Sequence, residues 1–277
     1  MSDLLQSLSN VLAQADDKLR AGEDAGAEVW PSGFTALDKH LAGGFRSGEL
    51  VLLAGPQGLG KTTLALQVLR NVVASGRVGV YFSFEHDSQA LLERLIAMEA
   101  AEAVGFTAVP LRRVRDSFAA NDQGEPLEER LGRATGGAEA LRALEGYADR
   151  LLVHRSSGSD TSVETVRQVV EDVRARTGQL PFVVVDYLQK IQAPSSLMVE
   201  DERVTSVVEG LKDLALDLGL PLLSIVAADK DGIAAGRRMR VQNLRGSSAL
   251  AYEADIVLIM NDKYDVVARH HLMYDLG

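Results

Sequence analysis

Cysteine is absent from the 277 residues, which rules out disulfides and thiolate metal sites and suits a reducing, cytoplasmic setting. No apolar run approaches the ~20 residues of a membrane-crossing helix. The first 20 residues lack the basic start and apolar stretch of a signal peptide. Positive charge is scarce: 29 Lys and Arg stand against 39 Asp and Glu, for a net charge of −10. Such a surface repels polyanions, so any nucleic-acid contact must come from a local basic patch. The five histidines are His40, His86, His154, His270 and His271. Only the last two adjoin, and neighbours on a strand face opposite sides, so no zinc is expected. Internal repeats and long low-complexity tracts are also missing.

What is present is a chain that is 46% hydrophobic, enough for one large α/β domain. Its sharpest motif is "AGPQGLGKTTLALQV", residues 54–68. Gly55, Gly58 and Gly60 let the backbone turn so that successive N–H groups face a phosphate. Pro56, Gln57 and Leu59 complete the loop, Lys61 reaches the β- and γ-phosphates, and Thr62, followed by Thr63, offers a hydroxyl to Mg²⁺. The apolar "ELVLLA" before it reads as a buried parallel strand, and Leu64, Val68 and Val72 after it recur at helical spacing. Strand, glycine loop and helix N-terminus together favour a bound anion, here the phosphates of ATP.

The rest of the chain alternates strands and helices. Strands are predicted at 49–54, 78–84, 151–154, 182–186, 221–226 and 255–260, and helices at 61–75, 87–102, 162–176 and 202–218. This order implies a mostly parallel sheet with helices on both faces. Residues 103–148 read as short helices and loops over the surface. Ahead of the domain, Leu4, Leu5, Leu8, Val11, Leu12, Ala15 and Leu19 form an apolar stripe on a helix over 2–20. A flexible acidic linker at 23–28 then precedes a domain over 29–277. The stripe either docks on a separate surface or packs back on its own domain.

Two acids at strand ends supply what a phosphate loop lacks. Asp186 closes "FVVVD", where its carboxylate holds Mg²⁺ across from Thr62, and Glu85 closes "VGVYFSFE", where it orients and deprotonates a water attacking the γ-phosphate. A basic stretch over 229–245 carries Lys230, Arg237, Arg238, Arg240 and Arg245 against Asp229 and Asp231. By composition it is either a nucleic-acid contact or an ordinary solvated loop.

"SGFTALDKHLAGGFRSGELVLLAGPQGLGKTT", "YFSFEH", "VVVDYLQ" and "NLRGSSALAYEADIVLIMND" follow one another as in the RecA-like motor domain of DnaB-type replicative helicases, which residues 30–262 resemble. The 2–20 segment resembles the linker helix before that motor. The resemblance implies a RecA-like P-loop NTPase that hydrolyses ATP with Mg²⁺ and translocates on single-stranded DNA. It further implies a homo-oligomer, usually a hexameric ring, with ATP at subunit interfaces and other replication proteins as partners. It assigns Lys61, Thr62, Glu85 and Asp186 the roles already given. Arg245, Gly246, Ser247 and Ser248 fall on its DNA-backbone loop, and Arg237 and Arg238 join them as contacts blind to base sequence. The stripe would dock on a neighbouring subunit.

Three departures from that family bear on function. Its primase-binding domain lies ahead of the linker helix, where this sequence begins. A glutamine past the strand expected at 221–226 senses the γ-phosphate and relays its loss to the DNA loop, whereas this chain has Ala227. The neighbour's ATP receives a lysine and an arginine from a strand beyond Gly277, where this sequence ends. An arginine finger is worth ~10³–10⁵ in rate, so slow turnover is expected of this chain alone, with DNA binding little coupled to ATP. The rival reading is a nucleotide-switched assembly module that does not translocate. A small-molecule kinase ranks third, because no second substrate pocket or lid is evident.

Overall fold

The computed structural model describes residues 6–120, 124–194, 199–228, 238–246 and 248–262. All six predicted strands form within a residue or two of their expected bounds: β3 (Leu50–Ala54), β4 (Gly79–Ser83), β5 (Leu151–Arg155), β6 (Phe182–Asp186), β7 (Leu222–Ile225) and β8 (Ile256–Ile259). They make one sheet in the order β5-β4-β6-β7-β3-β8, parallel at every pairing. A separate two-stranded piece, β1 (Val29–Trp30) with β2 (Phe45–Arg46), is antiparallel.

The four inner strands are buried along their whole length, which explains their unbroken apolar runs. Alternate residues feed two cores. Val51, Leu53, Tyr81, Phe182 and Val184 pack on one face beneath α3 (Lys61–Ala74) and α4 (Ser88–Val104). Leu50, Leu52, Phe82, Val183 and Val185 pack on the other beneath α8 (Val163–Thr177) and α9 (Glu200–Leu218).

Helix ends follow local chemistry. Asp87 caps α4 by accepting from Ala90 N at 2.8 Å. Ser162 caps α8, which stops at Gly178 with φ 70°. α9 begins two residues before its predicted start, because Glu200, Asp201 and Glu202 suit the positive end of a helix.

Residues 103–148 correct the surface-cover expectation in part. The short helices α5 (Leu111–Ser117), α6 (Leu127–Gly132) and α7 (Gly137–Glu145) do form, but Leu131, Ala140, Leu144 and Tyr147 join the core beside α4. Gly136 permits the approach, since a Cβ there would lie 2.9 Å from the Ala100 carbonyl. Beneath α7 the buried Glu99 carboxylate accepts from Arg70 at 2.5 Å and from the Tyr147 hydroxyl at 2.7 Å.

At the other end, α1 (Leu8–Arg20), capped by Ser7, buries none of its residues. Leu8, Leu12 and Leu19 are 81%, 71% and 64% exposed, so within one chain the stripe does not pack back on its own domain. No helix among the described residues is long and apolar enough to cross a membrane.

Candidate functional site

Because the sheet is parallel, the carboxyl ends of its strands share one edge. Ser83 lies beside Asp186, Asp186 beside Ile225, and Leu53 beside Ile225. The loop after β3 and the acids after β4 and β6 therefore converge. Gly58 and Gly60 hold φ of 83° and 86°, values an L side chain resists, so this turn into α3 calls for glycine. Gly55 backs onto Met260.

A cavity of about 540 Å³ opens at this edge, walled by Gly58, Lys61, Thr62, Thr63, Glu85 and Asp186, with Gly55, Gln57 and Gly60 also on its lining. Pro56 and Leu59 are not on the wall, although Pro56 offers its carbonyl to Lys61. The Lys61 ammonium donates to Gly55 O at 2.8 Å and Pro56 O at 3.1 Å. Burial lowers its pKa below the ordinary lysine value, against the opposing pull of Asp186 and Glu85. The Thr62 hydroxyl donates to Asp186 Oδ2 at 2.8 Å, and the Tyr81 hydroxyl donates to the same oxygen at 2.7 Å. Burial, reinforced by the adjacent carboxylate, pushes the Tyr81 phenol well above its usual range. It remains an O–H donor that fixes Asp186 from below. Glu85, by contrast, is exposed at the cavity mouth, where water reaches it.

This donor set fits Mg²⁺. A hydroxyl and a carboxylate, both hard oxygens, sit within one hydrogen bond of each other, and Mg²⁺ takes one or two protein oxygens plus phosphates and waters. The described residues hold no cluster of three or more His, Cys, Asp or Glu side chains, so a metal here would depend on the phosphates to complete its shell.

Sequence reasoning missed three residues of this edge. Tyr81 was legible as the one polar-tipped ring in the apolar run before Glu85. Arg94 reaches the cavity wall from α4 with its Nε buried and unpartnered among the described residues; its helical position gave no signal. Gln189 follows Asp186 in "DYLQ", and its carboxamide bonds to two other segments.

The basic residues divide. Arg245 lines the nucleotide-site cavity and also pairs with Glu200 at 2.8 Å. Gly246 packs against Val204, which a Cβ would meet at 2.6 Å. Arg238 and Ser248 are exposed away from the cavity wall. Arg237 and Ser247, like His270, His271 and most of the 229–245 stretch, lie outside the described residues.

A parallel sheet with a glycine loop, a buried-edge lysine and a threonine–aspartate pair at its carboxyl edge defines a RecA-like phosphate-loop domain. The chain belongs to the DnaB-like helicase C terminal domain family, whose profile matches residues 30–271. Among curated relatives it is 28% identical to the replicative DNA helicase DnaB of Treponema pallidum (strain Nichols), over 83% of this chain and 47% of that protein. It is 26% identical to that of Geobacillus stearothermophilus, over 95% of this chain and 55% of that protein. The chain thus spans about half the length of these relatives. The fold is shared with a DnaB-like replicative helicase solved for its interactions with primase, at a TM-score of 0.74 and 20% identity over 93% of this chain and 59% of that one. A solved helicase-type ATPase domain gives a TM-score of 0.73 at 21% identity, over 94% of this chain and 85% of that one.

Proposed function

We propose that this chain is the ATP-driven motor domain of a replicative helicase, moving along single-stranded DNA as part of a homo-oligomeric ring in the cytoplasm. One observation carries the reading: Arg245, from the family's DNA loop, stands on the wall of the same cavity as Lys61, Thr62, Glu85 and Asp186. Nucleotide and nucleic acid would share a boundary one side chain thick.

In this reading Lys61 leaves the loop carbonyls for the β- and γ-phosphates, and the N–H groups of 58–62 close around them. Thr62 and Asp186 part to hold Mg²⁺, with Tyr81 keeping the carboxylate oriented. The ion supplies charge neutralisation between the phosphates. Glu85 orients the attacking water and accepts its proton, and Arg94 brings positive charge to the wall opposite Lys61. Arg237, Arg238 and Arg245 follow the DNA backbone. The exposed α1 stripe docks on the next copy in a ring, usually of six, which also meets other replication proteins.

The rival, an assembly module switched by nucleotide without translocation, is favoured by Ala227 and by the exposure of α1. Turnover of ATP with and without single-stranded DNA, together with single-strand affinity across a salt series, separates the two. Each phosphate neutralised contributes a slope of roughly −0.7 in log affinity against log salt. Replacing Arg237, Arg238 and Arg245 together by alanine flattens the slope by about two units. A parent protein with no single-strand affinity at low salt overturns the motor reading in favour of the assembly module.

A further inference from the structure

The search of cavities, charge clusters and unpartnered faces converges on one carboxamide. Gln189 sits on the turn that follows β6, between the buried Leu188 and the exposed Lys190. Its Oε1 accepts from Ala227 N at 3.2 Å, and its Nε2 donates to Arg245 O at 2.9 Å. Arg245 N in turn donates to Ala227 O at 3.0 Å, and Ala228 bridges Leu244 beside it. One side chain thereby ties together the segment after Asp186, the end of β7 and the Arg245 segment.

The Arg245 side chain has two places to be. It lines the nucleotide-site cavity and also a neighbouring cavity of about 330 Å³ lined by Lys190, Arg203 and Glu200. Its pair with Glu200 is half exposed on both sides, and such surface pairs hold by ~1 kcal/mol or less. A small backbone displacement therefore suffices to move it, and only elements with two discrete arrangements transmit such displacements.

We propose that Gln189 is the positioning residue that carries occupation of the nucleotide cavity to the Arg245 segment, a role that rests on the cavity being a nucleotide site. When Asp186 shifts from the Thr62 hydroxyl toward a metal, the turn behind it shifts as a unit, because Leu188 is fully buried. Gln189 then pulls on Arg245 O while its other bond stays anchored at Ala227 N. The alanine at 227 does not interrupt this route, since only its backbone takes part. The expectation of weak coupling drawn from that alanine and the present proposal thus lead to opposite outcomes.

Hydrogen exchange of the 238–246 amides decides between them, measured on the full chain with and without Mg²⁺ and a non-hydrolysable ATP analogue. Gln189→Glu keeps the acceptor for Ala227 N–H and loses the donor to Arg245 O, whereas Gln189→Ala loses both. In the parent, nucleotide changes exchange at Arg245 by about 5-fold or more, within the usual range of coupling between sites. In both variants that response disappears while analogue affinity stays near the parent's. If Gln189→Ala fails to fold, the isosteric Gln189→Glu still gives the result. A parent that binds the analogue without any response at 238–246, or variants that keep the response, overturns the proposal and leaves the nucleotide site standing. A parent that binds no analogue overturns both.

Discussion

Lys61→Ala separates the energetics of the fold from those of the site. In the empty protein the ammonium holds only the Gly55 and Pro56 carbonyls, at 2.8 and 3.1 Å. Both belong to an open loop where water can replace it, so the fold loses about 1 kcal/mol or less. The cost to nucleotide binding is larger. Two charge-assisted hydrogen bonds to phosphate are worth ~1.5–3 kcal/mol each, less the ~1 kcal/mol of loop bonds relinquished to make them. A net ~2–4 kcal/mol corresponds to a ~30- to 1,000-fold loss of affinity. The upper half of that range is expected, because Glu85 and Asp186 remain on the wall with no lysine between them and the phosphates.

The pH dependence has a definite sign. Burial places the folded lysine below the ordinary value of 10.5. Across the window from the lowered value up to 10.5, the unfolded chain binds more protons, so stability of the empty protein rises with pH. Bound phosphate favours the charged form, so nucleotide affinity falls across the same window. Lys61→Ala abolishes both slopes. Titration with a fluorescent ATP analogue, paired with thermal melts over the same pH series, reads all three effects. An affinity within about threefold of the parent's would refute the reasoning, since it would be worth less than one hydrogen bond to a charged group.

Glu85→Gln keeps ATP bound and stops residual hydrolysis, because the amide preserves shape and loses the basic oxygen; Asp186→Asn instead weakens the Mg²⁺ dependence of binding, and phosphate release and magnesium titrations tell the two apart. Removing residues 1–22 shifts the assembly toward monomers, because Leu8, Val11, Leu12 and Leu19 are its exposed contact; light scattering that gives the same mass with and without the helix would show that α1 plays no part between copies. Glu99→Ala strands Arg70 and Tyr147 beneath α7 and costs about 3–5 kcal/mol, a drop of roughly 6–20 °C in melting midpoint for a domain of this size. Replacing the pair together, Arg70→Met with Glu99→Leu, should restore most of that loss.

The sheet was legible because its strands are buried on both faces and so write unbroken apolar runs, each ending at a glycine, an acid or a turn. The cavity was legible for the same reason: Lys61, Thr62, Glu85 and Asp186 all follow strand ends, and a parallel sheet gathers those ends on one edge. Arg94 and Gln189 were not legible, because their positions depend on how α4 and the turn after β6 pack, and a lone arginine or glutamine carries no periodic signature. The packing of 103–148 was hidden for a related reason. Gly136 looks like loop punctuation in the sequence, yet in the structure it marks where one backbone approaches another. The core contribution of Tyr147 depends on a partner, Glu99, that a reader of helix patterns assigns to solvent.

The position of β3 has a consequence for how the chain is made. This strand carries the phosphate loop, and both of its neighbours, β7 and β8, come late in the sequence. Leu50 pairs with Leu222, so at ~5–20 residues per second a ribosome has the strand synthesised about 10–35 s before its first partner exists. Through that interval the most apolar segment of the domain has both backbone edges open and one finished helix, α3, to lie against. A nascent chain stalled before β7 would therefore expose a sticky strand to other nascent chains, and the nucleotide pocket cannot take shape until the last quarter of the sequence has left the ribosome.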